Sequence, residues 1–557
     1  MMSSLRLVLL VSLAVLFSGC SSDATGQDSG GELLPEQAAY DVTFYDLSVE
    51  VDTAAQSIDG SLTAVAAVTR PLQYFVLNLD RRLSVDQVTL GKRDAPTQPV
   101  SVERRADSNQ VWIELPETVR PGDTTRVTVQ YSGSPRVAPR PPWDGGFTWD
   151  TTPGGQPWVA TSCQTIGADV WWPVKDHPSD EPDSMAINLT VPPPLVAASN
   201  GRLREVVDHD DTRTYRWFVS TPINTYAVAL HAAPYAEVDT IYRSTAEMDV
   251  PVTFFALKQD TTRARKALPH FLDHVRFLEE TLGPYPFRAD KYGIAQAPFK
   301  GMEHQSIIAY GNDFNLNGGL YYAAGFDALH FHELAHEWYG NLITVRDWRD
   351  FWIHEGFATY LEALYREEQQ GREGYWKTIR FWETRITNRR PVARTDATSA
   401  QQMYGGDVYY KGALILHTLR YVLGEDDFTQ FLRAFTYPTP EMQAATGGEQ
   451  CRHVSTADVV RVAEEASGQQ LDAFFRLYLY QAELPMLDVV REGDTLTLTW
   501  TNTGGVPFDV PVPVSVNGEV HRVDMTDGTA TMDIPANASI MIDEDGWILK
   551  DLQVESQ

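Results

Sequence analysis

Residues 331–340 read FHELAHEWYG. His332 and His336 stand four apart, and Glu333 lies beside the first. On a helix, four residues advance about 40° past a full turn, so both imidazoles share one face. Two neutral imidazoles placed this way can hold one metal ion, with Glu333 near a water on that ion. Taken alone, the pattern also fits an amphipathic helix carrying two incidental histidines.

A catalytic zinc uses three protein groups and keeps one position open. Downstream, HEGFATYLEALY begins a second helical pattern, and its Glu355 follows His336 by 19 residues. If the two helices pack antiparallel across the loop NLITVRDWRDFW, His332, His336 and Glu355 converge on one Zn2+ per chain. Glu333 is then left to polarise the water. By itself Glu355 would read as a helix N-terminal carboxylate favoured by the dipole. The full spacing is far more specific than HExxH. In the intervening loop, Thr344, Trp348 and Asp350 are candidates to orient the imidazoles, with ordinary loop and core packing as the alternative.

The 557 residues exceed one ordinary domain. Apolar content of 43% and aromatic content of 11% allow each domain a core. Lys and Arg number 45 against 75 Asp and Glu, a net charge of −30. Without an excess of cations to neutralise phosphates, nucleic acid is excluded as a partner. The acidity is compatible with solubility, a salt-rich habitat or cationic substrates.

Residues 1–19 read as a signal peptide: Arg6, then an apolar run from Leu7 to Phe17 too short to span a membrane. Ser18-Gly19-Cys20 resembles a bacterial lipobox, which makes Cys20 the lipidated first residue of an exported protein in the cell envelope. A membrane is then engaged only through that lipid. Residues 20–36 are small, polar and Gly-rich, as a flexible tether should be. The distant Cys163 and Cys451 are expected as unpaired thiols.

Residues 37–237 alternate apolar and polar in short runs such as YDVTFYDLSVEVD and DSMAINLTVP, separated by turn residues. An antiparallel β domain is expected there. Helical periodicity dominates 238–483, from TTRARKALPHFLDHVRFLEETLG to TADVVRVAEEASG. Strand signals return over 484–557, as expected for a small C-terminal β-sandwich. The fold class is multidomain α+β.

HELAHEWYGNLIT followed by WRDFWIHEGFATY resembles the gluzincin aminopeptidases, the family of aminopeptidase N and leukotriene hydrolase. Three further segments carry the resemblance. Lys300-Gly301-Met302-Glu303-His304 is similar to the family's GxMEN motif. TSCQTIGADVWWPVKDHPSDEP is similar to the end of its N-terminal β domain, and VYYKG to its Tyr-x-Lys-Gly motif. The resemblance implies a thermolysin-like catalytic domain and a zinc aminopeptidase acting on peptides with a free N-terminus. It implies Tyr409 as oxyanion donor, with Tyr410 as rival. Glu303 is implied to bind the substrate ammonium, Gln164 to assist, and Gly301, Met302 and His304 to line the substrate path. Lys300 and His304 depart from the family's Gly and Asn, which alters positioning but not metal binding. No counterpart of the large C-terminal helical domain of many members is recognised, so a more open cleft is expected. Other readings differ in class: an inactive binding module, a hydrolase of another bond such as an epoxide, or an endopeptidase. The intact HExxH, Glu355 and Tyr409 speak against the first and Glu303 against the last.

Overall fold

The computed structural model describes residues 29–91, 98–105, 108–318, 324–397 and 399–554. The signal-peptide reading and Cys20 fall outside the described residues. Among them, no helix is long and apolar enough to cross a membrane.

The N-terminal part is built on an eight-stranded sheet. Its alternating sequences put every second side chain inside: in Ser184–Val191, Met185, Ile187, Leu189 and Val191 are buried. Pairing is antiparallel throughout this sheet except between Tyr40–Asp52 and Ser184–Val191, which run parallel. Parallel neighbours need a long crossover, supplied here by the intervening 130-odd residues, roughly ten times the minimum. A four-stranded sheet, in the order Val196–Ala198, His231–Ala233, Pro157–Ser162, Gly146–Thr151, lies toward the second domain. Its strand Pro157–Ser162 ends two residues before Gln164 and so delivers that side chain to the interface.

The second domain begins with a five-stranded mixed sheet. Its order is Tyr235–Arg243, Asp249–Leu257, Tyr292–Gln296, Ile308–Tyr310, Gly301–Met302, which leaves Gly301–Met302 on the edge. Helices follow: α1 (Thr261–Leu282), α2 (Ala328–Ala335), α3 (Trp352–Glu383), α4 (Ala400–Met403) and α5 (Gly406–Leu423). α1 stops at Gly283, whose φ of 117° suits glycine. α3 is two helical stretches joined at Gly371, with φ 70°. α3 and α5 cross in close contact because Gly356 faces Gly412: a Cβ on Gly412 would lie 3.0 Å from Gly356 Cα.

The C-terminal part forms two small sheets of four and three strands. Their inward residues Leu496, Leu498, Val512 and Val514 are buried. Cys163 and Cys451 are unpaired, and burial pushes both thiols well up.

The expected tether is docked from Ser29 onward rather than free. Ala400 N donates to Ser29 O at 3.0 Å, and Trp348 Nε1 donates to Ser29 Oγ at 3.2 Å. Gly30 makes this approach possible, since a Cβ there would lie 2.4 Å from Trp348 Cδ1.

Candidate active site

Asp327 caps α2 by accepting from His330 N, and it is itself held by Tyr310 Oη at 2.6 Å and Asn312 Nδ2 at 2.8 Å. The helix so fixed aims His332 and His336 at the start of α3. Their Nε2 atoms lie 3.1 Å apart, and Glu355 Oε2 stands 3.3 Å from the first and 3.4 Å from the second. These three residues are the one His/Cys/Asp/Glu cluster of metal-holding geometry among the described residues.

The protonation pattern tests whether a cation fits. His332 Nδ1 lies 3.1 Å from Glu362 Oε1, and His336 Nδ1 lies 2.9 Å from Tyr339 O. A carboxylate and a carbonyl only accept, so both Nδ1 atoms carry a proton, and in the neutral imidazoles both Nε2 atoms present lone pairs. Those lone pairs face Glu355 Oε2, which is buried without a hydrogen-bond donor. Three electron-rich atoms converging in a buried space call for a divalent cation between them, and two imidazoles with one carboxylate suit zinc.

A cavity of about 340 Å³ opens beside this cluster. Gln164, Gly301, Met302, Glu303, Glu333 and Tyr409 all line it, as the sequence suggested. Gln164 Nε2 donates to Glu303 Oε1 in a short hydrogen bond and to Glu355 Oε1 at 2.8 Å. Asn341 Nδ2 donates to Glu303 O at 3.0 Å and fixes the backbone there. Glu333 sits against the strand Gly301–Met302: a Cβ on Gly301 would lie 2.1 Å from Glu333 Oε1. Burial pushes the Glu333 carboxyl up to about 8, with His332 opposing and Glu303 adding to the rise. Burial also raises Glu303. Tyr409, in the first turn of α5, stacks on the His332 ring at 6.0 Å and donates to Tyr404 Oη at 3.4 Å.

His304 does not reach the cavity. Its imidazole is fully buried against His231, Nδ1 to Nε2 at 3.2 Å. The chain turns at Glu303, where His304 N donates to Met302 O at 2.9 Å, and past that turn the His304 ring packs away from the cavity. The loop candidates also act elsewhere. Thr344 Oγ1 bonds Gly340 O, Asp350 accepts from Thr456, and Trp348 bonds Ser29. The imidazoles are oriented instead by Glu362 and Tyr339 O. Glu362 follows Glu355 by seven residues, two helical turns on one face, a spacing that was open to sequence reasoning. Tyr404, Trp143 and Tyr410 also line the cavity. Nothing in the sequence marks Trp143 or Tyr404.

The pattern for the Peptidase family M1 domain matches residues 272–478, and that for the Peptidase M1 N-terminal domain matches residues 42–227. The chain belongs to peptidase family M1. It is similar to a solved mutant M1 zinc metallopeptidase from Deinococcus radiodurans bound to a Tyr-Ser-Ala substrate. That similarity is 26% identity and a TM-score of 0.65, covering 82% of this chain and 98% of that one. Among curated proteins it is 26% identical to endoplasmic reticulum aminopeptidase 1 of Homo sapiens, over 71% of this chain and 43% of that protein. It is 24% identical to aminopeptidase M1-B of Oryza sativa subsp. japonica, over 82% and 51%. The chain thus spans about half the length of these curated relatives. That solved structure is a zinc metallopeptidase, in agreement with the cation that the His332, His336 and Glu355 arrangement calls for.

Proposed function

We propose that this M1 protein is a zinc-dependent aminopeptidase that hydrolyses N-terminal residues from peptides. The carrying observation is Glu303. Its carboxylate is 3% exposed, lies one glutamine away from metal-ligand Glu355, and has no Lys or Arg partner among the described residues. A buried carboxylate without a cation is costly unless a ligand supplies one, and the ammonium of a peptide N-terminus does. The M1 relatives named as aminopeptidases support the same reading.

The Zn2+ held by His332, His336 and Glu355 supplies, when bound, Lewis-acid polarisation of the peptide carbonyl and of the attacking water. Glu303 binds the ammonium, with Gln164 locking the carboxylate in place. This sets the first peptide bond beside Glu333. Glu333 takes the proton of the attacking water and returns it to the leaving amine; its raised basicity suits that task. The Tyr409 hydroxyl donates to the carbonyl oxygen as negative charge builds there. Glu362 and Tyr339 O hold the imidazoles in the tautomer that leaves Nε2 free.

The N-terminal reading supports an exported protein of a bacterial cell envelope, attached to a membrane through lipid on Cys20. Labelling with a radioactive fatty acid, lost in Cys20→Ala, tests that part. The activity is tested by zinc content and by release from aminoacyl anilides, each run beside its N-acetylated twin, with Glu333→Gln as control. Turnover of free amines only, abolished in the variant, is the expected result. Bound zinc without turnover of either series would overturn it.

A further inference from the structure

Glu303, Gly301 and Lys300 lie in a row along one edge of the five-stranded sheet, and all three line the cavity. The strand Gly301–Met302 is hydrogen-bonded on one side only, to Ile308–Tyr310. Its other edge is open to an extended peptide. Glu333, the proton carrier of the reading above, rests on Gly301 in the middle of the row. A peptide with its ammonium at Glu303 and its first peptide bond at Gly301 must therefore run antiparallel to this strand, and its later residues pass Lys300.

Spacing then sets which residue meets the lysine. Lys300 stands three positions before Glu303, at most about 10 Å of backbone at ~3.3 Å per residue. An extended tripeptide spans the same distance from ammonium to carboxylate. Lys300 is exposed at the cavity rim, and no ion pair of its ammonium exists among the described residues. The charged groups otherwise lining the cavity are the carboxylates Glu303, Glu333, Glu355 and Glu362, the imidazoles of His332 and His336, and Arg385. A cation at the far end of a site whose near end is anionic matches the two ends of a short zwitterionic peptide.

We infer that Lys300 is a specificity-determining residue that binds the C-terminal carboxylate of tripeptide substrates and so biases this enzyme toward short, free-acid peptides. The inference rests on the aminopeptidase reading and deepens it.

The test measures kcat/KM for Ala-Ala-Ala, its C-terminally amidated twin, Ala-Ala-Glu-amide, Ala-Ala-Ala-Ala and alanine 4-nitroanilide. The native enzyme is run beside Lys300→Met and Lys300→Glu. Native enzyme should prefer the free tripeptide over its amide by about fivefold, the size of a single partly solvated ion pair. The preference should shrink at high salt. It should fall to about one in Lys300→Met and invert in Lys300→Glu. Recovery of the preference by Ala-Ala-Glu-amide would overturn the main-chain assignment in favour of an acidic third side chain. An equal acid-to-amide ratio in native and Lys300→Met enzyme would overturn the role of Lys300 while leaving anilide turnover, and the aminopeptidase reading, standing. No turnover of any of the five by a zinc-loaded native enzyme would overturn both.

Discussion

Gln164 and Glu355 meet across the boundary between the N-terminal sheets and the catalytic helices, Nε2 to Oε1 at 2.8 Å. The same amide nitrogen also donates to Glu303. One side chain from the N-terminal part thus joins a metal-ligating carboxylate to the carboxylate proposed to bind substrate. The N-terminal domain is in this sense part of the active site and not an appendage.

Removing that amide should weaken both partners. In Gln164→Ala, two buried carboxylate oxygens lose a donor, and a hydrogen bond to a charged group is worth about 1.5–3 kcal/mol. We expect kcat/KM on free-amine substrates to fall about 10- to 100-fold. Steady-state kinetics with a parallel zinc-chelator competition checks it; unchanged values in both would refute the bridging role.

Glu362 should matter for zinc through His332, which it holds by Nδ1. Glu362→Ala should lower zinc affinity about 10- to 100-fold, the usual effect of losing a carboxylate behind a ligand imidazole. Thr344→Val should leave zinc affinity within about twofold, because Thr344 bonds the Gly340 carbonyl and not an imidazole. Equilibrium chelator competition on both variants decides.

Tyr409→Phe should reduce kcat about 100- to 1,000-fold with little change in KM, as expected for a donor that acts on developing charge. Tyr404→Phe should cost only a few-fold, since among the described residues its hydroxyl bonds Tyr409 alone. A larger loss in Tyr410→Phe than in Tyr409→Phe would reassign the donor.

Asp327 gives a pH signature away from the metal ligands. Burial raises its carboxyl from 3.8 to about 6. The folded state then holds a proton that the unfolded chain has released, so this group's stabilising effect is full below about pH 4 and is lost as pH rises through 6. Asp327→Asn keeps an N-cap side chain but does not titrate. Relative to native protein, the variant should gain stability between pH 4 and 6 by an amount on the order of 2–3 kcal/mol. Urea unfolding of both zinc-free proteins across this range measures the difference; parallel curves would exclude Asp327 as its source.

The Gly356–Gly412 contact sets the spacing between α3, which carries Glu355, and α5, which carries Tyr409. Gly412→Val should destabilise the fold by about 1–3 kcal/mol through overpacking. It should also lower kcat more than Gly405→Ala, since nothing lies within 4 Å of a Cβ added at Gly405. Thermal melts and kinetics on the two variants test it.

Local chemistry was legible in the chain. HExxH with its later glutamate named three ligands because helical geometry turns spacing directly into a shared face. Alternation named the strands, and Gly283 marked the end of α1. What the sequence left open depends on contacts between segments far apart in the chain. That Gln164 bridges Glu303 and Glu355 follows from two domains meeting. That Glu362 and the Tyr339 carbonyl orient the imidazoles, and not Thr344, Trp348 or Asp350, is set by how α2 and α3 pack. His304 carries the chemistry of a substrate contact, but past the turn at Glu303 it packs against His231. Residue type and spacing fix what a side chain is able to do; its neighbours in space, supplied by folding, fix which of those things it does.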